Sequence, residues 1–77
     1  MNSFIDRAVA LEHFKLARKH VAEGQQCVDA QIVLMARLER DGHDTTGARA
    51  LLDQFEEALA LQIQALDCIS QELEEGV

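Results

Sequence analysis

The chain has 77 residues and a net charge of −7 from seven basic and fourteen acidic side chains, with no Pro, Trp or Tyr and only three Phe. So short a chain holds one domain at most, and its wealth of Ala, Leu, Glu, Gln and Arg reads as helical, with a core of Leu, Ile, Val and Ala. Residues 1–41 carry six basic and six acidic side chains, whereas residues 42–77 set Arg49 against eight acids. Phosphate neutralisation needs clustered Lys and Arg, so no nucleic-acid partner is expected, and an anionic membrane surface is disfavoured for the same reason.

Met1 to Arg7 shows no basic region followed by an apolar core and does not read as a secretory signal. No run of about 18 apolar residues offers a membrane span. Cys27 and Cys68 are isolated, not a disulfide framework, and are expected to be reduced and buried as small core residues. These features together predict a cytoplasmic protein, a single domain over residues 1–77.

The first predicted element is a helix from about residue 4 to residue 41. Its seam is Ala10, Phe14, Ala17, Val21, Gly24, Val28, Gln31, Met35 and Leu38, alternately four and three residues apart, with Gly24 and Gln31 as weak spots. At roughly 1.5 Å per residue this helix would be about 50 Å long.

Residues 42–45 then form a predicted turn: Gly42, His43, Asp44 and Thr45. Gly42 suits the left-handed position just past a helix end, and Arg37 and Arg40 sit where cations complement the helix dipole. Asp44 or Thr45 is placed to cap the next helix, and the sequence does not choose between them. A turn this short makes the helices antiparallel neighbours. His43 is the residue that turn and cap chemistry leave unexplained.

The second predicted helix spans about residues 46–74, with an unbroken heptad: Ala48, Leu52, Phe55, Leu59, Gln62, Leu66, Ile69 and Leu73. Its one polar member, Gln62, falls within about a heptad of Gly24 in the folded-back chain. Either the glycine makes room for the amide, or it is a local weak point costing about 1 kcal/mol relative to Ala. Residues 74–77 are expected to fray.

A two-helix seam needs only its a and d positions to be apolar. Beside the seam, at positions g and c, lie Leu51, Ala58, Leu61, Ala65 and Cys68 on helix two. Leu16, Cys27, Ala30 and Leu34 lie likewise on helix one, with His13 and His20 among them. Antiparallel packing sets g beside g, so both extra stripes share one flank, an apolar patch that a second copy would cover. The expected architecture is therefore an all-α, coiled-coil-like antiparallel two-helix hairpin that pairs into a four-helix bundle. The rival is a hairpin whose flank takes a different helical protein.

Candidate chemistry is sparse. His13, His20 and Glu23 share a face, but the two histidines are two turns, roughly 10 Å, apart. His20-x-x-Glu23 also reverses the Glu-x-x-His order of carboxylate-bridged metal bundles, so these residues are weak metal candidates and no cofactor is expected. No Gly-rich phosphate loop, nucleophile elbow or Cys-x-x-Cys is present, so no catalysis is expected. The acids of helix two read as a solvated face that Arg7, Lys15, Arg18 and Lys19 balance.

The segment Leu38-Glu39-Arg40-Asp41-Gly42-His43-Asp44-Thr45-Thr46-Gly47-Ala48-Arg49-Ala50-Leu51-Leu52, preceded by His20-Val21-Ala22-Glu23-Gly24, resembles a group of small uncharacterised alphaproteobacterial proteins. They share a His-x-x-Glu-Gly element, a Leu-x-x-Asp-Gly-His-Asp-Thr-like turn and an Ala-x-x-Leu-Leu opening to the second helix. The resemblance covers roughly residues 10–74 and implies a bacterial cytoplasmic hairpin. It assigns no activity, so it carries over no functional residue.

The expected function is a non-catalytic protein–protein interaction module acting as a homodimer. One alternative is a metal- or redox-responsive sensor using His13, His20, Glu23 and the two cysteines. Another is an acidic chaperone-like partner of a helical client.

Overall fold

A computed structural model describes residues 3–76, with side chains from residue 6 onward. Helix α1 runs Ser3–Arg40 and helix α2 runs Thr46–Glu74, packed along each other as a hairpin with extents of 61 × 15 × 14 Å. The helix bounds fall within one residue of those read from the heptads.

The heptad seam is the core. Ala10, Ala17, Val28, Gln31 and Met35 of α1 and Leu52 and Leu59 of α2 are buried, and the remaining seam residues are half-buried. Among the described residues off the seam, Thr45 and Ser70 alone share that partial cover. Val28, Met35, Leu52 and Leu59 form the tightest cluster, with Val21, Ala48 and Phe55 against it. No described side chain reaches full burial, as expected where two helices can cover each other on one side only. Arg18 lays its guanidinium over the half-buried Phe14 ring, 5.8 Å from the centroid, which extends the apolar cover with an amphipathic side chain.

The flaws in the seam prove to be contacts. A Cβ on Gly24 would collide with Gln62 Oε1 and lie 3.2 Å from Leu59 Cδ1. The glycine therefore makes room for the amide, the first of the two readings. Gln62 Oε1 is buried there without a hydrogen-bond partner. Gln31, expected as a weak spot, is buried and donates from Nε2 to the Ala48 carbonyl at 2.9 Å. That bond ties the last third of α1 to the first turn of α2.

The turn closes as its residues dictate. Gly42 sits at φ +78°; its N–H donates to Glu39 O at 3.1 Å, and the His43 N–H donates to Leu38 O at 2.9 Å. These are the two bonds of a Schellman end, which needs a left-handed residue at this position. Thr45 holds the N-cap position, and Asp44 before it supplies the side-chain acceptor. Its Oδ1 accepts from the Thr46 N–H at 3.0 Å and from Thr46 Oγ1 at 2.7 Å, whereas Thr45 makes no side-chain capping bond. These two donors hold the Asp44 carboxyl below its ordinary value, the side-chain bond contributing most. His43 acts through its backbone, and its side chain is exposed.

At the far end, Glu75 N–H donates to Gln71 O at 3.0 Å, Gly76 N–H donates to Leu73 O at 3.3 Å, and Gly76 has φ +86°. The expected fraying of residues 74–76 thus meets a closed final turn, and Val77 lies outside the described residues.

Candidate interaction face

The register sets Gly24 beside Leu59 and Gln62, and it brings Ala17 and His20 to Ala65 and Ile69. Carried along both helices, it puts Leu34 level with Leu51 and Cys27 level with Ala58. Leu16 falls level with Cys68. A shallow groove lined by His13, Leu16, Ala17, His20, Ala65 and Ile69 runs along this flank, so the g positions of the two helices do meet as antiparallel packing requires.

Each residue expected on this face is exposed in the hairpin: Leu16, Cys27, Ala30, Leu34, Leu51, Ala58, Leu61, Ala65 and Cys68. Leu61 shows 65% of its surface and Leu16 50%. The expectation that the cysteines are buried is corrected here. Both thiols are free and exposed, because positions c and g lie outside the a/d seam that alone is covered.

The two flanks differ in charge. From Val9 to Leu34 the g/c stripe of α1 carries one formal charge, Glu23, and from Leu51 to Cys68 that of α2 carries none. The opposite flank, at e and b, bears Lys15, Arg18, Asp29, Arg49, Asp53, Glu56 and Asp67 over comparable lengths. It also bears exposed Leu11, Ile32 and Ile63, and Val33 is exposed on the back of α1. Sequence reasoning had not singled out these four; they are scattered among charges, and only Ile32 joins a second groove, with Met35, Ala36, Glu39, Arg49 and Leu52.

His13 and His20 are exposed on the g/c flank, with Glu23 beyond them. Among the described residues no three His, Cys, Asp or Glu side chains stand together as a metal site. Nor do the α1 cations balance α2: the one ion pair among the described residues is Lys15–Glu12 at 3.3 Å, within α1 and exposed. Its contribution to stability is small for that reason. No helix among the described residues is long and apolar enough to cross a membrane.

No protein-family model matches the chain, and no curated protein or solved structure matches it.

Proposed function

We propose that the protein is a small, non-catalytic protein–protein interaction module that self-associates as a homodimer. Two hairpins close over their g/c flanks into a four-helix bundle. The observation that carries this reading is the exposed, mostly apolar stripe from Leu16 and Cys68 to Leu34 and Leu51, in which Glu23 is the single formal charge. Surface area supports a second copy as the occupant. A compact folded chain of 8.6 kDa exposes about 4,700 Å². This one exposes 5812 Å², an excess of roughly 1,100 Å², comparable to the ~800 Å² that one partner contributes to a standard interface. Two free thiols with no disulfide suit the reducing cytoplasm.

The test is molar mass by light scattering over a hundredfold dilution. Wild type is expected to hold a two-chain mass. Leu61→Glu, which places a charge at the centre of the covered face, is expected to fall to one chain. A Leu61→Glu variant that stays assembled would put the interface elsewhere, and a one-chain wild type would end the homodimer reading.

A further inference from the structure

The charges left on the flank specify how two copies meet. On α1 the g and c positions follow one another by alternating steps of three and four from Asp6 to Arg37. That series reads the same in both directions about the point between His20 and Glu23. The point is also the middle of α1, Ser3–Arg40. A copy turned end for end about it therefore meets the stripe in phase, and the two α1 helices overlap along their whole length.

We propose that the homodimer is antiparallel, each α1 lying on the partner's α1, with the twofold axis between His20 and Glu23. This rests on the self-association proposed above. In that arrangement Asp6 faces the partner's Arg37, and His20 faces the partner's Glu23, each pair occurring twice by symmetry. Val9 faces the partner's Leu34, and Leu16 faces the partner's Cys27. On α2, the hairpin register sets Leu61 against the partner's Ala65 and Ala58 against the partner's Cys68. The α1 charges thus meet opposite or neutral polar groups, Leu16 and Leu61 meet small side chains, and the one mismatch is Leu51 level with the partner's Glu75 at the end of α2.

The parallel alternative, with both turns at one end and α1 on the partner's α2, loses this match. Glu23 would be pressed against the partner's Leu61, and Arg37 would face the partner's Gly47. A carboxylate held against leucine in a covered interface loses its hydration with no partner in return. Like-charge or unpaired placement is the usual means by which an interface rejects a wrong orientation.

The experiment is thiol cross-linking of the full chain with diamide, alongside light scattering. Leu16→Cys combined with Cys68→Ser leaves the new thiol opposite the partner's Cys27, and a covalent two-chain species is expected. Leu16→Cys combined with Cys27→Ser leaves Cys68, which faces position 16 of the partner only in the parallel arrangement. A covalent dimer from that second variant overturns the proposal, as does a noncovalent two-chain mass with no cross-link in either. A one-chain mass for the unmodified protein instead overturns self-association itself.

Spin labels on His43→Cys, in a background with Cys27→Ser and Cys68→Ser, give an independent reading. The turns lie about 60 Å apart in the antiparallel dimer, from a rise of roughly 1.5 Å per residue on either side of the axis. A distance below about 25 Å would place the turns together, one helix pair apart, and refute the orientation.

Discussion

Replacing Gly24 with alanine has opposite expected signs depending on residue 62. By helix propensity alone the change stabilises an interior position by about 1 kcal/mol. In the wild-type background the new methyl meets Gln62 Oε1 and presses Leu59 Cδ1, which lies 3.2 Å from it. The amide then has to leave the seam. Withdrawing the equivalent of one or two methylenes from cover costs about 0.8 kcal/mol each. The wild-type substitution is thus expected to be neutral to destabilising by about 1 kcal/mol, with the propensity gain set against that lost burial and the shift of Leu59. With Gln62→Ala already in place nothing blocks the methyl, and the full gain of about 1 kcal/mol returns. The expected coupling between the two sites is about 1–2 kcal/mol, within the usual range for residues in contact. Urea denaturation of the four proteins, at one fixed protomer concentration because the proposed self-association would add to stability, yields that coupling directly. Equal stabilisation by Gly24→Ala in both backgrounds would refute it and show that the amide does not occupy the space at the glycine.

Asp44→Asn tests the cap through pH. The folded carboxyl lies below its ordinary value of 3.8, so its contribution is fully present above about pH 4 and is lost as pH falls through the lower folded value. The melting-temperature difference between wild type and Asp44→Asn is expected to be constant from pH 7 to about 5 and to shrink below pH 4; a difference unchanged at pH 2 would remove Asp44 from the cap. Gln31→Ala is expected to destabilise by about 1–2 kcal/mol in chemical denaturation, through the lost bond to Ala48 and lost packing. Gln31→Leu restores the packing and is expected to be near neutral, because the Ala48 carbonyl keeps its place in the helical ladder; equal losses for both would assign the whole effect to the hydrogen bond.

The sequence makes the hairpin legible because the a/d pattern and the turn chemistry point to one geometry. The four- and three-residue spacing of α2 selects the buried side, and Gly42 can serve its left-handed position where other residues are strained. What periodicity cannot give is pairing across the seam. That Gly24 and Gln62 meet, while Gln31 reaches Ala48, depends on where the turn sets the axial register, and a shift of a few residues would exchange their partners. Asp44 and Thr45 were indistinguishable for a related reason. Both side chains can accept from a free N–H, and the backbone path after Gly42 decides which one reaches Thr46. The cysteines were misplaced because general burial of free thiols was weighed above their wheel positions, which already put them outside the seam.

Gln62 Oε1, buried beside Gly24 without a partner, weakens the hairpin near its middle, and its core is one side chain deep. Both features are costly in a chain whose isolated core supplies no more than about 3–5 kcal/mol. In the proposed dimer, the g/c flank supplies stability to such a seam from outside the two-helix unit. The Gly24–Gln62 step falls at the level of Glu23 and Leu61, beside the proposed twofold axis. Pairing there would brace the weakest part of each hairpin with its copy, so folding and assembly would be linked, and the melting temperature would rise with protein concentration. The e/b flank offers no such brace, since its apolar residues are separated by fixed charges of both signs. The contrast between a flank with fixed charges of both signs and one whose only formal charge from Val9 to Leu34 and Leu51 to Cys68 is Glu23 is what the proposed self-association rests on, just as the a/d spacing is what selects the hairpin.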